Sequence, residues 1–409
     1  MNIFSRTSSA VLRKKGRILS TMQLFTILFA LKSSGFDCRI VPSFDRAFPD
    51  KWAHSPVEMS PGLAQADTVY AGLPWEIYIF FQGYSRTDSG TGDVLFSYKI
   101  VGPKGTTILD TSGIRAITGP IAADAGMLPS RSIPAVCFSQ KDTTGRYKII
   151  VTAEDKAAKV KKTGEHVVIL SKYPKIASYR FDDISFNIWI HRYCIEPDPK
   201  RAIAAFSFFI ESKLSNDDAV FWPVFYFFQC LFSDNPSLVE KLSLSFPKCS
   251  KRLQEYTVFL LRTIHIEKSA IKSEIPDSLW KKFDKAAETG FYDPFTYAFK
   301  IKSNRFIEFG FYYYGRYSMI RFLIGCLGLN TPAGYEAFLK DCNDYGDECH
   351  KCLDKETSLR FYSDARKILE KTYSKNLLVH AYCDYALEND RVEASAKKVL
   401  SEIIASSKR

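Results

Sequence analysis

Apolar residues recur with period two through one part of this chain and with a period near 3.6 through the part that follows. Trp75-Glu76-Ile77-Tyr78-Ile79-Phe80-Phe81 has the β-branched and aromatic content of a strand. Val94, Phe96, Tyr98 and Ile100 alternate with less apolar neighbours, Ser132–Phe138 gives a third candidate, Tyr147, Ile149, Val151 and Ala153 line a fourth, and His166–Leu170 closes the set. Gly, Pro and Asp clusters such as Gly102-Pro103-Lys104-Gly105 separate these runs, which predicts a set of short antiparallel strands over 67–172. A connector covers 173–182, and from Asp183 to residue 409 the pattern is helical. Asp198-Pro199, Asn235-Pro236 and Thr331-Pro332 place a capping residue before a proline at the first helical position. Val392, Ala396, Val399, Leu400, Ile403 and Ile404 form the stripe of a last amphipathic helix.

Within the strand region, Asp142-Thr143-Thr144-Gly145-Arg146-Tyr147 resembles the corner that enters the penultimate strand of immunoglobulin-like and fibronectin-type β-sandwiches. The resemblance implies a tyrosine hydroxyl that reaches back to a backbone group across a glycine turn. Ile149 stands where antibody-type domains carry their second cysteine, so the resemblance is to the disulfide-free branch, a spacer or adhesive module. The helical part resembles no family we recognise. Pro199 and Pro236 are 37 residues apart, a helical-repeat spacing, and favour an α-solenoid-like array over a single irregular bundle. The expected architecture is therefore an antiparallel immunoglobulin-like sandwich followed by an all-α helical-repeat domain. Pro42, Pro49, Pro56 and Pro61, with Ser and Asp among them, read 36–66 as an irregular linker.

Charge changes the reading at the N-terminus. Arg6, Arg13, Lys14, Lys15, Arg17 and Lys32 stand in residues 1–35 with no acid, and supply over half of the net charge of +11. The apolar stretch Ile18–Leu31 follows this basic segment and small residues follow it, the pattern of a signal peptide over 1–35. Export to a periplasm or the extracellular space is expected, with no transmembrane span in the mature chain. The near balance of charge in the rest gives no basis for nucleic-acid binding. Asp37 before Cys38 is a poor lipidation context, so no lipid anchor is expected there.

Candidate chemistry is sparse. Cys342, Cys349 and Cys352, with Cys383 further on, form a thiol cluster that reads as a local disulfide or ordinary thiols. His350 in Cys349-His350-Lys351-Cys352 brings zinc and redox readings into view, but the second ligand pair and the thioredoxin-like setting are both missing. No metal or other cofactor is expected. Lys162-Thr163-Gly164 matches a triplet of serine β-lactamases and Ser278-Leu279-Trp280-Lys281 their S-x-x-K motif, but in the wrong order, and the first reads as a turn before the last strand. His191 and His265 read as structural. Two segments could carry binding: Lys156, Lys159, Lys161 and Lys162 in a hairpin loop, and Tyr312, Tyr313, Tyr314, Arg316 and Tyr317 in an aromatic run. For each, a solvated tip or a packed core is the plainer alternative. The pattern favours a non-enzymatic binding or scaffold protein whose partner is a protein or an envelope polymer. An envelope-polymer enzyme with a helical catalytic domain and an intracellular adaptor are the alternatives.

Overall fold

A computed structural model describes residues 35–56, 61–121, 126–173, 179–271, 274–285, 294–341, 353–388 and 392–407. The N-terminal half is β-rich, with two sheets, and the C-terminal half is helical. The first sheet joins β1 (Asp37–Ser43), β3 (Trp75–Gln82), β6 (Leu128–Pro129) and β7 (Ala135–Val136), with β3 at its centre. The second runs in the order β2 (Thr68–Tyr70), β9 (Val160–Ser171), β8 (Gly145–Asp155), β4 (Thr91–Val101) and β5 (Thr107–Pro120). Its pairs are antiparallel except β2 with β9.

Side-chain alternation explains how the sheets pack. Ile77, Ile79 and Phe81 of β3 join Val94, Phe96, Ile100, Ile149, Val151 and Val168 in one core shared by both sheets. Tyr78 and Phe80 point the other way, into a second cluster with Val41 and Phe48. Because β3 is covered on both faces, its sequence is a nearly unbroken apolar run. The Tyr147 hydroxyl donates to the Thr143 carbonyl at 2.7 Å, across Gly145 at φ +141°. A Cβ on Gly145 would meet Pro103 Cγ at 2.9 Å. Asp142-Thr143-Thr144-Gly145-Arg146-Tyr147 thus makes the hydroxyl-to-backbone turn that the sequence motif implies.

Several expectations need correction. Residues 36–66 are not irregular throughout: β1 pairs with β3 from Asp37↔Gln82 to Ser43↔Glu76, and α1 (Phe48–Ala53) follows. Lys162-Thr163-Gly164 lies inside β9 rather than in a turn. Gly164 is there for close approach, since a Cβ would come within 3.2 Å of both the Cys38 carbonyl oxygen and Sγ. Of Ser132–Phe138, only Ala135–Val136 is strand. The 14-residue β5 was not anticipated. It is the edge strand and is exposed along most of its length, so it carries no apolar alternation. Its register against β4 shifts three times, and Ser97 stands opposite both Ser112 and Gly113, the latter at φ +69°.

In the helical half, α2 (Asp183–Arg192) is held at its start by a reciprocal Asp182–Ser185 capping box. After α3 (Ala202–Glu211) comes α4 (Asp218–Ser233), buried almost all round. A helix that is apolar on every side must lie inside a core. Pro223 within α4 cannot donate to the Ala219 carbonyl, and the Arg305 guanidinium reaches that carbonyl at 3.4 Å instead. There follow α5 (Pro236–Ser245), α6 (Lys251–Thr263), α7 (Asp277–Lys282), α8 (Pro294–Ile301), α9 (Arg305–Tyr314), α10 (Tyr317–Cys326), α11 (Pro332–Asp341), α12 (Lys355–Thr372), α13 (Leu377–Glu388) and α14 (Ala394–Ser407). The expected stripe of α14 is buried at Ala396, Val399, Leu400, Ile403 and Ile404. Among the described residues, no helix is long and apolar enough to cross a membrane.

The β-rich half keeps its own two-sheet core but also contributes to the helical one. Tyr70 and Leu73 of the β-rich half lie in the same apolar cluster as the helices. Gly72, at φ +81°, comes so close to α5 that a Cβ would sit 2.7 Å from Ser237 Cβ.

Candidate functional site

A dense array of buried charge and hydrogen bonds lies where α1 meets the helical half. Phe48 buries α1 against Tyr78 and Phe80 of the first sheet, with ring centroids 5.1 and 5.7 Å apart. That packing directs Lys51 inward, where its ammonium lies 2.6 Å from Asp45 Oδ2, with side chains 2% and 1% exposed. The same ammonium donates to the Cys194 carbonyl just beyond α2. Burial pushes the Asp45 carboxyl up, and Lys51 and the Ala47 amide act against that push. The Tyr78 hydroxyl bridges the Asp45 carbonyl oxygen, 2.6 Å away, and the Glu76 carboxylate. Gly315, at φ +62°, ends α9 here. Its missing Cβ leaves room for Lys51 Cε and Cys194 Cβ, each of which would be 3.1 Å from it.

Next to Lys51 in α1, Asp50 Oδ2 accepts the Tyr317 amide at 2.6 Å. Tyr317 is the first residue of α10, whose own N-cap, Arg316, makes no side-chain capping bond. A carboxylate 267 positions earlier in the chain therefore caps this helix. Burial alone would raise the Asp50 carboxyl, but the bonds from His54 and the Tyr317 amide hold it below its usual range. The Tyr382 hydroxyl of α13 donates to the Gly315 carbonyl at 2.8 Å and lies 3.5 Å from Asp50 Oδ2. This array can fasten two bodies; its groups are committed to one another.

A second polar cluster lies on α9. Glu308 is buried, accepts the Tyr312 hydroxyl at 2.8 Å and pairs with Lys371 of α12 at 3.2 Å. Burial acts to raise its carboxyl, and Lys371 and Tyr312 bring it below the ordinary value. The His191 ring lies 4.4 Å from that of Tyr312, and its Nδ1 is 2.7 Å from the Asn187 carbonyl oxygen. A cavity of about 210 Å³ lies between α10, α11 and α14, lined in part by Arg321, Phe338, Asp341 and Glu393. Among the described residues, no group of three His, Cys, Asp or Glu side chains could hold a metal ion.

The residues singled out in the sequence are dispersed. Tyr312 and Tyr317 are buried, Tyr313 and Tyr314 are partly buried and Arg316 is exposed. Tyr313 stacks on Tyr193 at 5.7 Å and donates to Asp234 at 2.8 Å, so the aromatic run is mainly inter-helix packing rather than an open groove. Lys156, Lys159, Lys161 and Lys162 are exposed around the β8–β9 turn, with Lys161 and Lys162 already in β9. Glu154 pairs with Lys156 at 2.8 Å and Lys161 at 3.6 Å, and Asp37 lies 3.9 Å from Lys162, so carboxylates take up part of that charge. Cys383 is a free, fully buried thiol, and Cys342, Cys349 and Cys352 lie outside the described residues. Cys38 is also free, and burial pushes its thiol up to about 11.

The sequence reading missed Asp45, Asp50, Lys51 and His54 because it placed them in a linker. Phe48-Pro49 followed by Trp52 was the available signal, a proline-initiated turn with large apolar groups to bury.

No family model matches the chain. No curated protein resembles it in sequence. Three solved structures give partial superpositions. An enzyme that catalyses macrocyclization in alchivemycin A biosynthesis has 10% identity, a TM-score of 0.20, and coverage of 35% of this chain and 92% of its own. A family 123 glycoside hydrolase from Clostridium perfringens has 12% identity and a TM-score of 0.20, over 47% of this chain and 35% of its own. An immunoglobulin-like protein from Pseudomonas aeruginosa has 14% identity and a TM-score of 0.18, over 34% of this chain and 95% of its own. Similarity at this level carries no argument about activity.

Proposed function

We propose that this chain is an exported, non-enzymatic binding or scaffold protein of the cell envelope or extracellular space. In this reading the β-rich half is an immunoglobulin-like sandwich and the helical half a solenoid-like array. The observation that carries it is the buried junction: Lys51, Asp45 and Asp50 fix the β-rich half to Cys194 and α10. A rigid pair of modules presents the β8–β9 tip and the helical surface at a constant spacing, which suits a scaffold. The test is a binding isotherm of the purified chain against fractionated envelope polymers and proteins. Saturable binding that weakens when Lys159 and Lys161 are changed to Glu supports the reading; no binding above background to any fraction removes it. N-terminal sequencing of native protein tests export, with a mature start near Gly35 expected.

A second reading, an enzyme acting on envelope polymers, draws on Glu308 with Tyr312, Lys371 and His191. Turnover of such a polymer that Glu308→Gln abolishes would favour it over the scaffold.

A further inference from the structure

The junction contains a histidine that water reaches, and imidazole is the side chain whose ordinary titration range lies nearest neutral pH. His54 ends α1, with its side chain 30% exposed. Its Nδ1 lies 2.8 Å from the Asp50 carbonyl oxygen and 3.2 Å from Asp50 Oδ1. Its ring stacks on Tyr317 at 4.6 Å and 16°, and meets Tyr385 edge-on at 5.6 Å and 90°. His54 thus touches α10 and α13, the two helices that Asp50 also engages.

The groups around it can be named element by element. From α1 there is Asp50, with the Asp45–Lys51 pair beyond it. From the start of α10 come Tyr317 and the exposed Arg316, and from α13 come Tyr382 and Tyr385. Asp50 is the nearest charge, the three tyrosines are neutral, and Arg316 is a solvated cation.

We propose that protonation of His54 tightens the attachment of the β-rich half to the helical half, so that the junction closes more firmly at pH 6 than at pH 8. In acid, the imidazolium sits against the Asp50 carboxylate and over the Tyr317 face, where ion pairing and cation–π attraction add. In alkali the neutral ring keeps one hydrogen bond and loses the charge. The sign follows from proton linkage. The bond to Asp50 raises the affinity of folded His54 for its proton, so its contribution is complete below the unfolded value and is lost as pH rises through the folded one. Asp50 itself is held low and stays ionised across this window.

Amide hydrogen exchange of the full chain at pH 6 and pH 8, corrected for intrinsic rates, reads this directly. Protection of α1 and of the first turn of α10 is expected to be about two- to fivefold greater at pH 6, the range of a partly exposed ion pair. His54→Gln keeps a planar donor but cannot become charged, and is expected to retain the fold and lose the difference. Equal protection in the native chain, or the same difference in His54→Gln, overturns the proposal. Should that variant not fold, NMR titration of the native His54 ring decides: a midpoint at or below that of an unfolded peptide also overturns it.

Discussion

Lys51 and Asp45 show how much one buried pair can control. Both charges have left water, and each is tolerable only because the other, with the Cys194 carbonyl and the Ala47 amide, replaces the lost hydration. Replacing Lys51 by Ala leaves a carboxylate in an apolar site, and urea unfolding is expected to show a loss of about 3–5 kcal/mol. Asp50→Ala removes a helix cap rather than a buried charge pair, and should cost about 0.5–2 kcal/mol and speed exchange of the Tyr317 amide. Tyr147→Phe keeps the ring and deletes only the bond to Thr143, so a loss of about 1 kcal/mol is expected by the same measurement. Of these sites, only the Tyr147 turn was legible in the sequence, because its residues are neighbours. Lys51 and Asp50 act across distances of 143 and 267 positions, which local spacing cannot encode.

Elements were readable where one face was wet and the other dry. In β4, β8 and α14 that asymmetry is written directly into the residue pattern. β1 was lost because Pro42, Ser43 and Asp45 look like punctuation, although the first is at the strand end and the last is the partner of Lys51. β5 was lost for the opposite reason: with most of its residues exposed it has little apolar alternation to show. In α4, Pro223 is tolerated because Arg305 supplies the missing donor to Ala219. Arg305→Met therefore should cost about 1 kcal/mol, with amide exchange quickening in the first turns of α4 and not in α14.

At the scale of the whole molecule, a sandwich followed by a helical-repeat domain was expected, and the described residues form one compact unit. The two-sheet core is distinct, yet Tyr70 and Leu73 belong to the helical cluster. A helical fragment beginning at residue 179 would lose those side chains, the Asp50 cap and the Lys51 contact together. It is expected to populate an expanded state with weak near-ultraviolet dichroism, whereas the full chain should unfold in a single calorimetric transition. A stable, cooperatively melting fragment would contradict that coupling.

The interruptions along β5 have a consequence for crowding. An unbroken ribbon of free amides and carbonyls on the rim of a sheet invites a neighbouring molecule to add itself, copy after copy. Ser112-Gly113, together with the extra residues at Ile108 and Ala116, puts that rim out of step with any straight strand. A border that is exposed over most of its length can thus remain unzipped at concentrations where a flat one would seed fibres.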